Sequence, residues 1–241
     1  MLLMACGGTT HSPPSPEAIA TAEAASTAVT IAAPFTTTPV AESDDPPQPI
    51  VLRGRLFGSG PVGVILAHMR PADQTSWFPF ATLLASTGKF TVLTFDFRGF
   101  GESTGEKEFD RLDTDLIAAY EYLAGKIGIQ KIFLVGASMG GTVSLVVGGR
   151  VRVAGVVSIS SPAQFQTLDA LHAVEGISAP KLFVASKDDV PAARSEEQFW
   201  ANALDPKEQE IYDGDAHGTY ILDGPHRDEV EERVIGFLTS H

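Results

Sequence analysis

The 241-residue chain carries a formal net charge of −13 and an apolar fraction of 44%, which suits one medium globular domain with an attached segment and shows no repeat or coiled-coil signature. The acidic balance and the lack of any basic stripe exclude a nucleic-acid phosphate backbone as partner. A lone cysteine, Cys6, excludes an internal disulfide framework and a cysteine-based metal site; the six histidines lack ligand spacing, and no run reaches the ~20 apolar residues of a membrane helix.

Residues 7 to 49, beginning "GGTTHSPPSPEAIATAEAAS", are rich in Thr, Ala, Ser and Pro and poor in large apolar side chains. Half of the 16 prolines lie before residue 50, and the first Lys or Arg is Arg53. Such a segment buries too little surface to offset its ordering entropy, so residues 1–49 are expected to form a disordered tether. Removing residues 1–45 is accordingly expected to change neither melting temperature nor turnover. At the head of the segment, "LLMACGG" resembles the lipobox of bacterial lipoproteins, with Leu3, Met4, Ala5 and Cys6 filling it. That resemblance implies an exported protein held at a membrane by lipid on Cys6, stable anchoring taking two acyl chains. The other reading is a free thiol in a cytoplasmic chain.

From residue 50 the pattern changes. "IVLRGRLFG" alternates and "VGVILAHM" is continuously apolar, with "SGP" between them, which reads as a hairpin-like pair of strands. "QTSWFPFATLLASTG" has helical spacing and stops at Gly88; "FTVLTFDF" reads as a buried strand. In "FDRLDTDLIAAYEYLAGKIG", Leu112, Leu116, Ala119, Tyr120 and Leu123 share one helical face. The strand "KIFLVGA", a helix from Met139, the strand "AGVVSISSP", a short helix near "FQTLDALHAV" and the strand "KLFVAS" follow. The helix "AARSEEQFWANAL", the strand "QEIYDG" and the helix "RDEVEERVIGFLTSH" close the chain. Short apolar strands alternating with amphipathic helices predict an α/β fold over residues 50–241, a mostly parallel central sheet with helices on both faces. Ligands of such sheets sit outside the carboxyl ends of the strands.

The candidate residues fall at those ends. "VGASMGGT" sets Gly136 and Gly140 around Ser138 between a strand and a helix, the context of a nucleophile elbow. A serine on that sharp turn projects its hydroxyl off the sheet, and the helix N-terminus behind it faces developing negative charge. Its weak hydroxyl needs a base oriented by a third group. In "YDGDAHGTY", His217 follows the last strand; His226 is the rival, but it opens the terminal helix. For the acid, "KLFVASKDDVP" offers Asp188 and Asp189 side by side.

With the order Ser, Asp, His in place, residues 50–241 resemble the α/β-hydrolase superfamily, in particular small dienelactone-hydrolase and serine-esterase members. In relatives the acid lies three residues after a small residue that ends its strand, so the resemblance selects Asp189, counted from Ser186, with Asp188 in reserve. It also implies an oxyanion hole from the backbone N–H of Arg70, in "HMR", and of Met139 after the nucleophile. Met69 replaces the family's glycine there and is the alternative donor, while His68 is expected to pin the loop. "DFRGFGES" is similar to the family's D-x-R-G-x-G-x-S turn, in which Asp96 and Arg98 are structural.

The reaction implied is acyl transfer on a small-molecule ester, through Ser138, His217 and Asp189, with no metal or organic cofactor. Only about one short helix fits between "SISSP" and "KLFVAS", so the lid is minimal and small or soluble esters are expected. A serine peptidase or amidase on the same fold and a non-catalytic binding protein are the alternatives. A haloalkane dehalogenase is disfavoured because its nucleophile position would hold Asp.

Overall fold

The computed structural model describes residues 13–34 and 49–241. Cys6 and its lipobox-like surroundings lie outside the described residues.

Within the segment expected as a disordered tether, residues 16–33 correct that expectation. Helix α1 (Pro16–Ala24) starts on Ser15, whose hydroxyl caps the Ala18 N–H, and strand β1 (Thr27–Ala33) follows. β1 runs antiparallel to β2 (Ile50–Phe57) in full register, from Thr27 opposite Leu56 to Ala33 opposite Ile50. Small side chains hide the signal: only Ile31 and Ala33 of β1 and Ala22 of α1 are buried. A strand needs few large residues when a partner supplies the rest of the apolar surface.

β3 (Val62–Ala67) does not form a hairpin with β2. Instead β4 (Phe90–Phe95) lies between them, antiparallel to β2 and parallel to β3. Every residue of β3 after Val62 is buried, which requires a neighbour on both edges and a cover on both faces. The second neighbour is β5 (Lys131–Ala137). Parallel pairing continues through β6 (Gly155–Ile159), past the two-residue strands β7 (Gln164–Phe165) and β8 (Leu168–Asp169) of a separate small hairpin, to β9 (Lys181–Ser186) and β10 (Lys207–Tyr212). The sheet order is β1-β2-β4-β3-β5-β6-β9-β10.

The period of two along each strand divides the core. Ile65, Ala67, Leu93, Phe95, Ile132 and Leu134 face one layer of helices, α3 (Leu112–Ala124), α4 (Met139–Gly148), α5 (Ala170–Val174) and α6 (Val190–Asn202). Val64, Leu66, Val92, Phe133 and Val135 face the other, α1, α2 (Phe78–Ser86) and α7 (Arg227–Ser240). The strand order reverses beside β3, so loops after β3, β5, β6 and β9 meet at one end of the sheet.

Candidate active site

β5 ends at Ala137, and α4 begins at Met139. Between them Ser138 adopts φ 49° and ψ −119°, a conformation that costs an L residue about 1–3 kcal/mol and needs support. Support comes from its own backbone: the Ser138 N–H donates to Ile159 O at the end of β6 (2.8 Å), and Ser138 O accepts from Gly141 N–H (2.9 Å). The turn is tight enough that a Cβ at Gly136 would stand 2.2 Å from Gly140 O, and one at Gly140 2.2 Å from Ala67 O. Glycines flank the serine because backbone occupies the space a side chain would need. That second contact also sets the loop after β3 directly against the first turn of α4.

His217 lies in the loop after β10, which Ser186 holds by donating its hydroxyl to Ala216 O (2.7 Å). The structure brings His217 Nε2 to 2.8 Å from Ser138 Oγ, and Nδ1 to 2.6 Å from Asp189 Oδ2. A carboxylate only accepts, so Nδ1 carries the proton and Nε2 is free to accept from the Ser138 hydroxyl. The Asp189 side chain is 12% exposed and the His217 ring 41%, so the acid is sheltered while the imidazole meets solvent. Asp188 is exposed and contributes only its N–H, to Gly214 O (2.9 Å). His226 is elsewhere, its ring tilted against Tyr212 and bonded to Glu229.

His68 is fully buried. It accepts the Phe97 N–H on Nε2 (3.1 Å), so Nδ1 carries its proton and donates to Met69 O (2.9 Å). Burial lowers its pKa to about 4 and keeps the ring neutral. In a planar trans peptide C=O and N–H point oppositely, so anchoring Met69 O turns the Arg70 N–H away from His68. Among the described residues neither the Arg70 N–H nor the Met139 N–H donates to another backbone group outside the regular elements. The Arg70 guanidinium instead lies over the Phe109 ring (5.5 Å), and the Met69 side chain is buried against Thr219 of the His217 loop.

The "DFRGFGES" turn is a brace. Asp96 accepts from Gln74 N–H, Gln74 Nε2 and Glu102 N–H, yet burial still pushes its pKa up to about 6. Buried Arg98 forks onto Asp115 and reaches Glu108. Sequence reasoning missed Gln74, Asp115 and a fully buried glutamate, Glu196. Glu196 carried a legible signal: it stands between Ala192 and Phe199 on the buried stripe of α6.

A family model described as "alpha/beta hydrolase fold" matches residues 64–204. The protein Rv2307c of Mycobacterium tuberculosis is 27% identical over 207 residues, covering 74% of this chain and 73% of the relative. Among solved structures, a Pyrococcus furiosus esterase superposes with TM-score 0.72 at 16% identity, covering 95% of this chain and 97% of its own. The enol-lactonase of Burkholderia xenovorans LB400 gives 0.67 at 17% identity, covering 79% and 97%. The family match spans more than half of the chain and includes the Ser138 turn and α6, so this chain belongs to the α/β-hydrolase fold family.

Proposed function

We propose that the protein is a serine hydrolase that cleaves carboxylic esters through an acyl-enzyme. The observation that carries the proposal is the unbroken relay from Ser138 Oγ to His217 Nε2 (2.8 Å) and from His217 Nδ1 to Asp189 Oδ2 (2.6 Å). Ser138 Oγ attacks the ester carbonyl as its proton passes to His217 Nε2, and Asp189 stabilises the imidazolium. The Arg70 and Met139 N–H groups, aided by the N-terminus of α4, receive the oxyanion. Collapse expels the alkoxide, which takes the proton from His217; water then repeats the sequence and frees Ser138.

Small or soluble esters suit the site because only the β7–β8 hairpin and the five-residue α5 stand between β6 and β9. The neighbours described as an esterase and an enol-lactonase support the same reaction class. Export and lipidation at Cys6 would place this site at a membrane surface, a reading carried by "LLMACGG" alone. The test is a panel of p-nitrophenyl esters of increasing acyl length beside a peptide p-nitroanilide. Turnover of short esters, lost in Ser138→Ala, supports the proposal; cleavage of the anilide alone, or of neither substrate, refutes it.

A further inference from the structure

Helix α6 begins immediately after Asp189, and Glu196 lies seven residues on, two turns along the same face. It is fully buried, and the relay described above does not use it. Its Oε1 accepts the Ser161 N–H (2.8 Å) and the Ser158 hydroxyl (2.8 Å). Because Ser158 has one proton to give, its Oγ accepts from Ser161 Oγ (2.7 Å). Next to Glu196, Ser195 Oγ accepts the Ala163 N–H (3.2 Å). One helix therefore grips residues 158–163 at successive points.

That segment in turn holds the nucleophile. Ile159 O accepts the Ser138 N–H (2.8 Å), and Pro162 O accepts the Thr142 hydroxyl in the first turn of α4 (2.7 Å). Ser161 Oγ is packed so closely on the turn that a Cβ at Gly141 would stand 1.8 Å from it. The strained backbone at Ser138 thus rests on a strand end that α6 fixes, and Asp189 is the N-cap from which α6 starts. We propose that Glu196 is a positioning residue for the hydrolysis, tying the nucleophile turn to the helix that starts at the acid so that Ser138 and His217 stay in register. The inference rests on the serine-hydrolase reading.

Burial disfavours a charge on the Glu196 carboxyl. Its Oε2 is buried without a partner among the described residues, and Asp189 acts on it as a like charge. Burial above all raises its pKa well above the carboxylate range. Glutamine has the same shape and no charge, so it preserves the bonds at Oε1; leucine removes them.

The experiment compares Glu196→Gln and Glu196→Leu in the full chain, reading kcat and KM on p-nitrophenyl acetate and the rate of fluorophosphonate labelling. An ångström of misplacement at a reacting centre costs on the order of 100-fold, so the leucine variant should lose about 30- to 100-fold in kcat and labelling rate, with KM within about threefold. The glutamine variant should keep kcat within about threefold. A folded leucine variant with wild-type kcat overturns the proposal, as does a glutamine variant that falls as far as leucine. If Glu196→Leu does not fold, Ser158→Ala carries the test: kcat should fall with KM held, and an unchanged kcat overturns the proposal. Absence of ester turnover in the wild type would instead overturn the serine-hydrolase reading.

Discussion

Replacing Asp189 by Asn leaves the volume of the side chain nearly unchanged and removes one charge. In the proposed reaction the lost interaction is that between the carboxylate and the imidazolium formed when Ser138 gives up its proton, with Oδ2 and Nδ1 2.6 Å apart and the charge centres about 4 Å apart. At an effective dielectric near 20 the attraction is about 4 kcal/mol, and the partial exposure of His217 trims it to about 3–4 kcal/mol. That corresponds to a loss of about 10²- to 10³-fold in kcat/KM. If Asn instead presents its amide to Nδ1, the tautomer reverses, Nε2 donates rather than accepts, and the loss approaches about 10⁴-fold. Asp188→Asn touches only an exposed side chain whose N–H bond persists, so its kcat/KM should stay within about threefold. The assay is kcat/KM on p-nitrophenyl acetate for both variants, with melting curves as the folding control. Equal losses in the two variants, or an Asp189→Asn enzyme within tenfold of wild type, would refute this reasoning.

Deleting residues 1–34 strips β1 from β2 and uncovers the surface beneath Ile31 and Ala33; burial of Ile31 alone is worth about 2–3 kcal/mol, so Tm should fall by on the order of 10 °C. An unchanged Tm would contradict the pairing. His68 titrates near 4 when folded and near 6.5 when unfolded, so acidification through that window protonates the unfolded chain first and costs up to about 3 kcal/mol. Asp96, raised from 3.8 to about 6, works in the opposite sense, its contribution being present at low pH and lost as pH rises through 6. The difference between wild type and His68→Gln in urea denaturation at pH 7 and pH 4.5 isolates the histidine: the variant should lose less stability on acidification, and parallel losses would refute the assignment. Arg70→Ala keeps the main-chain N–H and should hold kcat within a few-fold, whereas a hundredfold loss would show that the guanidinium acts in place of the N–H.

The parts of the fold legible in the sequence are those whose signal is local. β3, β4 and β5 announce themselves by short runs dominated by apolar residues, because a strand between two helical layers has no solvent face. The Ser138 turn is legible because backbone crowding leaves glycine as the residue that fits at 136 and 140. Pairing between distant segments was not legible. The turn between β2 and β3 reads as a hairpin, but β4 enters from 30 residues on and separates them. β1 was hidden because Thr and Ala give little hydrophobic contrast, so that half-exposed alternation resembles a Pro- and Ala-rich linker. The residues alone leave Asp188 and Asp189 open and the family resemblance selects Asp189; the path of the chain into α6 turns that carboxylate to His217 and the other to solvent. Glu196 is one of two adjacent glutamates on a charged helix, and its place on the buried stripe is what distinguishes it.

The most direct measurement of the central claim is where an active-site-directed electrophile lands. Incubation of the full chain with a fluorophosphonate, followed by peptide mapping by mass spectrometry, should yield one adduct per chain, on Ser138. The adduct should be absent in Ser138→Ala and strongly slowed in His217→Ala. Labelling at another residue, or no labelling of a folded protein, would contradict an activated hydroxyl at Ser138.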